Sequence, residues 1–564
     1  MSNQMKDIQF SSVNYDEWKE QAIKALKGKP FSSLFTNTIE GVTLEPLYTQ
    51  EMLVDKLGEQ LEKQVSTIRT LTATNTFQVA QQIYGETSSQ FFTLIEESVE
   101  KGNECLTIDS RVPFVWDDEN LTQLAKYLTE NSFKLHVTNA NDPILAVFDK
   151  INDLDIKGYI VSDEQITLNK FQNVKTLSAN TVPYHNEGAN VIQELALTLA
   201  LASKYAELEG NFENFAKKFF VNFAVDTQFF SEIAKLRAIK VLWKAFAQAY
   251  DVEGPIAIPV VAETSVRSFT KADEYVNLLR AGNEAFAGLI GGADTITVHP
   301  HDCLAVPTEK SIRIARNVSL VLKEESYVEN VLDAAGGSYF IENLTAEYVE
   351  KAWELFLKIE NAGGIDAYTN SGKLQAELNE VYENRLKAVA TRKHSLIGTN
   401  IYANPVDVIA AETNPQFAQV KRLAIPFEDL RATYNTKQPK IAILTYGTLK
   451  GFKPRADFVE GYFATVGIIP DKSGEILSVE EAKQWLENAD YDYVVVAANN
   501  ENATILVPAL LENKPKGLLL DVAGKYKEEE SNWLANGLDG FIFAGQNIVE
   551  KLTEVLESLK GVQQ

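Results

Sequence analysis

From about Val65 onward, short β-branched and apolar runs alternate with longer stretches whose apolar positions recur at helical spacing. The pattern predicts strands at 66–71, 105–109, 134–138, 158–161, 175–179, 219–225, 258–262 and 295–298, with helices such as 193–208, 232–250, 274–289 and 311–325 among them. Strands alternating with helices of this length indicate βαβ units with parallel pairing, and eight suffice to close a (β/α)8 TIM barrel. A doubly wound open sheet is the alternative. In a barrel, chemistry gathers at the C-terminal ends of the strands, where the sequence offers Asp109, Arg111, Asn139, His185, Asp226, Glu263, Arg267, His299, His301 and Asp302.

The flanks read differently. Residues 11–34 carry Trp18, Ala22, Ile23 and Leu26 at helical spacing, stopped by Gly28 and Pro30. Such a short amphipathic helix packs on its own domain or docks on a partner chain. Past Gly363 and Gly364 the periodicity fades, and residues 394–439, with Pro405, Pro415, Pro426 and Pro439, read as an extended linker. A second βα series follows, with strands at 441–444, 493–497, 518–522 and 541–543 and Ser478 and Glu481 spaced as a capping box before a helix. The expected organisation is an N-terminal helical segment (1–50), a barrel (51–393), a linker (394–439) and a small open α/β sheet (440–564).

Charge and composition narrow the function classes. Lys and Arg number 53 against 78 Asp and Glu, a net charge of −25, which would repel a phosphate backbone and argues against nucleic acid. No stretch reaches the roughly 20 apolar residues of a membrane span. Residues 1–10 show no apolar targeting core, no Arg-rich amphipathic helix, and Ser2 where myristoylation needs glycine, so a cytoplasmic location is expected. Cys105 and Cys303, far apart and outside any CxxC, read as buried thiols.

Residues 297–318 read TVHPHDCLAVPTEKSIRIARNV, followed by Glu324-Glu325-Ser326 and Asp333-Ala334-Ala335-Gly336-Gly337-Ser338-Tyr339. Together with Glu40-Gly41-Val42, Pro46-Leu47-Tyr48-Thr49, Tyr184-His185 before Gln193-Glu194-Leu195-Ala196, and Glu232-Ile233-Ala234-Lys235-Leu236-Arg237, in this order over nearly the whole chain, they resemble the methylmalonyl-CoA mutase family. The resemblance implies a coenzyme A-binding barrel joined by a long linker to a flavodoxin-like cobalamin domain. Active members isomerise methylmalonyl-CoA and succinyl-CoA through radicals from adenosylcobalamin.

Several family positions are altered. Cobalamin-binding members carry D-x-H-x-x-G after the first strand of the small domain, because an imidazole must replace the cofactor's own base on cobalt. Here the run is Leu449-Lys450-Gly451-Phe452-Lys453-Pro454, so Leu449, Gly451 and Pro454 stand where aspartate, histidine and glycine are expected, and the last histidine of the sequence is His394. The family's paired glycines near the nucleotide tail are also missing, the matching strand ending Leu519-Leu520-Asp521-Val522-Ala523-Gly524. In the barrel, T-I-R is kept as Thr67-Ile68-Arg69, but neither T-M-Y before it nor Q-N-D around residues 151–163 occurs, which removes the arginine that clamps the acyl carboxylate. His185 corresponds to the family's histidine over the thioester carbonyl; a structural histidine at a strand end is the alternative. Glu263 and Arg267 read as an internal ion pair or solvated rim, with a residual ligand site as the lesser alternative, and His299 and His301 as core or rim histidines rather than, with Asp302, metal ligands.

The resemblance therefore implies a non-catalytic small subunit paired with a large, catalytic methylmalonyl-CoA mutase subunit that holds adenosylcobalamin, with no cofactor and no metal on this chain. A competent adenosylcobalamin-dependent acyl-CoA mutase is one alternative. A flavin-binding α/β protein, with residues 445–451 cradling a phosphate, is another.

Overall fold

The computed structural model describes residues 13–72, 76–410 and 413–562. Residues 11 and 12 of the expected N-terminal helix, and all of 1–10, lie outside them. Eight parallel strand positions form the larger sheet: Gln78–Gln82, Cys105–Asp109, Ser132–His136, Gly158–Val161, a fifth split into Val174–Lys175 and Leu177–Asn180, then Phe219–Val225, Val260–Thr264 and Thr295–Thr297. The first half of the fifth strand pairs with the fourth and the second half with the sixth, which carries the sheet round on itself. Ser178 Oγ reinforces the seam, donating to Ser162 O at 2.9 Å. The result is the expected (β/α)8 architecture.

One strand was misplaced by the sequence pattern. Residues 66–71, including Thr67-Ile68-Arg69, end the helix Glu59–Leu71, whose buried residues Gln64, Thr67, Ile68 and Leu71 fall at helical spacing. The first strand is Gln78–Gln82, disguised by three glutamines. Gln78 and Gln82 are tolerated because the interior they enter is polar, and the outward Gln81 is satisfied by the helix Glu309–Glu325, its Oε1 accepting from Arg316 Nη1 at 2.8 Å.

Register puts alternate residues of each strand inside the barrel. Thr107 lies opposite Lys134 and Lys134 opposite Tyr159; one level up, Asp109 lies opposite His136 and His136 opposite Val161. Inside, Tyr159 and Phe220 pack with ring centroids 5.1 Å apart beside Val161 and Val261. Also inside, Thr107 and Thr297 share a hydrogen bond of 3.1 Å. The outward residues join the helices in the main apolar core.

Two family-like sequence blocks meet outside this barrel. Arg237 donates to both oxygens of Asp333 at 2.8 and 2.9 Å and to Glu342 Oε1 at 2.7 Å. The fork of a guanidinium suits this two-carboxylate clamp, which pins the residue 333–339 turn to the helix Phe229–Gln248.

The second sheet is five-stranded and parallel: Ile441–Thr445, Asp471–Lys472, Tyr493–Ala497, Leu519–Ala523 and Gly540–Ile542 in the spatial order 2-1-3-4-5. That is the flavodoxin-like winding. The two-residue edge strand was not legible in the sequence. Within the stretch 394–439, the helix Ile425–Lys437 packs Phe427, Leu430 and Tyr434 into the small sheet's core. Ser478 caps the helix Val479–Glu487, accepting from Glu481 N at 3.2 Å.

Candidate functional site

The C-terminal mouth of the barrel holds a cavity of about 420 Å3. Asp109, Arg111, Glu263 and His299 line it, as expected of strand-end residues, and so do His136, Gln82 and Asn180. His136 escaped the sequence reading; its signal was its position two residues beyond Lys134 on one strand, which gives both the same inward face.

Glu263 organises the floor of this cavity. Its carboxylate meets Lys134 Nζ at 2.8 Å across the barrel, with His299 Nε2 at 3.5 Å and His136 Nε2 at 3.8 Å. Burial alone would raise its pKa, yet Lys134 and the two histidines hold it well below the carboxylate range. His136 is pushed down to about 4, by burial first and Lys134 second, so it is neutral at physiological pH. Arg111 grips Asp109 through Nε at 2.9 Å and Nη2 at 2.5 Å.

The expected Glu263–Arg267 pair is not formed. Glu263 takes Lys134, whereas Arg267 pairs with Asp226, donating from Nε at 3.2 Å and also from Nη2, and reaches His185 O at 2.8 Å and Ala189 O at 2.9 Å. Two side chains four residues apart, at and just beyond the end of one strand, thus turn to different partners.

His185 lies against Arg267, fully buried. Its Nδ1 is 2.8 Å from Glu194 Oε1 and its Nε2 is 2.8 Å from Ser265 Oγ, while Lys235 Nζ supports Glu194 at 3.1 Å. The connectivity is that of a serine–histidine–carboxylate relay, but all three side chains are sealed from solvent, so a substrate has no approach to Ser265. Burial and then Arg267 push His185 down to about 4. The turn after it is closed by Gly188, at φ +119°, where a Cβ would lie 2.7 Å from Tyr382 Cβ.

The other candidates disperse. His301 stacks on Tyr275 at 5.1 Å, and Asp302 accepts from Thr308 N and Oγ1, each at 3.1 Å. Asn139 folds back on its own turn, accepting from Asn141 N at 2.8 Å. Among the described residues, no group of three or more His, Cys, Asp or Glu is arranged to hold a metal ion. Cys105 and Cys303 are both buried and unpaired.

A strap from the stretch 413–423 crosses the mouth. Gln416 Oε1 accepts from Gln82 Nε2 at 2.7 Å, Phe417 meets the His299 ring edge-on at 5.1 Å, and backbone bonds tie Asn414 to Leu304, Lys421 to Asn186 and Leu423 to Arg267. Below the cavity, the Lys134–Glu263 pair and the Tyr159–Phe220 contact fill the axis, so an extended ligand cannot run through the barrel.

In the small sheet, the strand order reverses between Ile441–Thr445 and Tyr493–Ala497, the crevice where such folds take ligands. Arg455 spans it, bonding Ala498 O, Tyr526 OH and Asn500 Oδ1, with its guanidinium 5.4 Å from the Tyr526 ring. Leu449, Gly451 and Pro454 lie in the first turns of the helix Leu449–Phe463. In the neighbouring loop Tyr446 N goes to Ala497 O, Gly447 N to Ile476 O and Gly451 N to Thr448 O, so three of its backbone donors are turned onto the protein rather than toward a flavin phosphate.

A sequence profile of methylmalonyl-CoA mutase matches residues 159–443, half of the 564-residue chain. The chain belongs to the methylmalonyl-CoA mutase family. It is 28% identical to the methylmalonyl-CoA mutase small subunit of Porphyromonas gingivalis, over 96% of this chain and 97% of that protein. Identity is 30% to the small subunit of Propionibacterium freudenreichii subsp. shermanii, over 68% of this chain and 63% of the relative. It is 27% to a methylmalonyl-CoA mutase of Cereibacter sphaeroides, over 74% and 68%. Mutase chemistry in this family depends on adenosylcobalamin, and the residues present do not fit that cofactor. No histidine follows His394, and the crevice that would take the cofactor is crossed by Arg455.

Proposed function

We propose that this chain is the non-catalytic small subunit of a heterodimeric methylmalonyl-CoA mutase, interconverting methylmalonyl-CoA and succinyl-CoA. It works in the cytoplasm by binding and stabilising a large subunit that carries adenosylcobalamin, substrate and chemistry. The observation that carries this reading is Arg455 seated across the crevice of a small sheet without histidine. The filled barrel axis and the sealed His185 support it: an acyl-CoA chain has no path through the interior, and the histidine has no access to a thioester.

The N-terminal helix supports the pairing. None of the 11 residues of Tyr15–Ala25 is buried, although a capping box at Asn14 and Glu17 stabilises it and Tyr15, Trp18, Phe31 and Phe35 form an aromatic series. An amphipathic helix left without a core of its own fits a role in contacting another chain. Among the described residues, no helix is long and apolar enough to cross a membrane.

The test is to purify the chain alone and co-expressed with a mutase large subunit from the same source. The chain alone should show neither bound cobalamin absorbance nor turnover, and the pair should co-purify and turn over. Mutase activity in the isolated chain would falsify the proposal.

A further inference from the structure

A band of aromatic side chains, none of them fully buried, runs along one flank of the barrel at the starts of the helices Phe229–Gln248 and Tyr339–Asn361. Ring contacts link Phe286 to Phe229 at 5.7 Å, Phe229 to Phe230 at 5.3 Å, Phe230 to Phe340 at 5.6 Å and Phe340 to Tyr48 at 5.3 Å. Tyr48 accepts from Glu45 N, and Glu45 accepts from Tyr15 of the N-terminal helix, each at 3.1 Å. The band therefore continues into the aromatic series of that helix. At its other end the helix Tyr275–Gly291 extends it. Tyr275, Leu279, Gly282 and Phe286 recur at helical spacing on one stripe, and Tyr275 is 63% and Leu279 72% exposed.

Gly282 adds an independent observation. It sits mid-helix, where glycine is unfavourable, and a Cβ there would meet nothing within 4 Å. Packing within this chain does not require the glycine. A bare backbone on an exposed apolar stripe is what a second backbone needs in order to come close.

The extent of the band fits a stable partner. With Phe230 at 54% exposure and the other rings partly exposed, it leaves on the order of 600 Å2 of apolar surface in one stretch. Monomers rarely expose more than a few hundred Å2 in one patch, and a standard interface takes roughly 800 Å2 from each partner.

We propose that this band, from Leu279 and Gly282 through Phe230 to the N-terminal helix, is the surface on which the large subunit docks with an apolar helical face of its own. The inference rests on the pairing proposed above and names where that pairing occurs. A second copy of this chain is the poorer occupant, because two chains of net charge −25 repel one another.

The test is to co-express the full chain and its variants with a mutase large subunit from the same source and to read the dissociation constant of each complex by analytical ultracentrifugation. Leu279→Glu and Gly282→Arg are each expected to weaken the complex tenfold or more. The thermal midpoint of the isolated chain should stay within about 2 °C, because both positions face open space. Ile505→Glu, at a side chain 62% exposed on the helix Asn500–Leu511 beside the small sheet, should change nothing. Wild-type affinity in both band variants would overturn the docking surface and leave the pairing intact. Equal weakening by Ile505→Glu would overturn it too, as would self-association of the isolated chain that Leu279→Glu abolishes, which places a second copy on the band. If the wild-type chains do not pair at all, the pairing falls and the surface with it.

Discussion

Lys134 and Glu263 face one another across the barrel, Nζ 2.8 Å from Oε2, on strands that are not neighbours in the sheet. Lys134 is wholly buried, and Glu263 is the carboxylate that meets it there. The pair closes the interior below the cavity and holds Glu263 where His136 and His299 converge.

Removing one partner should therefore be costly. Lys134→Met is expected to destabilise the fold by about 3 to 5 kcal/mol, because it leaves Glu263 buried without a counter-charge. Lys134→Met with Glu263→Leu should recover most of the loss. Urea denaturation followed by tryptophan fluorescence measures both, and equal losses in the single and double variants would contradict this account.

Acid should weaken the fold through its histidines. His136 and His185 sit at about 4 in the folded chain against about 6.5 unfolded. A depressed pKa means that the unfolded state binds protons first, so their contribution is intact above pH 6.5 and is lost as pH falls toward 4. Each accounts for up to roughly 3 kcal/mol over that window. Unfolding midpoints at a series of pH values should decline there, less steeply in His136→Gln. A flat profile from pH 7 to 4 would refute it.

Restoring the cofactor motif should not restore binding. Leu449→Asp, Gly451→His and Pro454→Gly rebuild the missing residue types, but the positions are helical and Arg455 still spans the crevice. No cobalamin absorbance is expected after incubation and gel filtration. Stoichiometric uptake by the triple variant would show that residue identity alone had been limiting.

Truncation should separate folding from assembly. Because no residue of the helix Tyr15–Ala25 is fully buried, deleting residues 1–29 is expected to leave the thermal midpoint within about 2 °C while weakening association with a large subunit tenfold or more. Analytical ultracentrifugation of the mixed chains gives the second value. Unaltered association would remove the helix from the interface.

Much of the architecture was legible from local pattern. Seven of the eight barrel strands could be read because outward residues such as Leu106, Phe133 and Val221 pack on helices and must be apolar. The first strand was missed because a polar barrel interior accepts Gln78 and Gln82 and an outer-helix arginine, Arg316, satisfies Gln81, erasing the apolar run by which a parallel strand is recognised. The edge strand Asp471–Lys472 is two exposed residues, too short to carry a period.

For the site, residue chemistry and chain order by themselves determined the family likeness, the candidate residues at strand ends, and the absence of any histidine after His394. Tertiary structure alone decided partnership. Glu263 and Arg267 are four residues apart, yet the first reaches across the barrel to Lys134 while the second turns beneath the rim to Asp226. Closure of the sheet sets those distances. Hydrogen bonds and ion pairs act over about 3 Å, and a linear sequence does not contain the three-dimensional separations that choose among equally suitable partners.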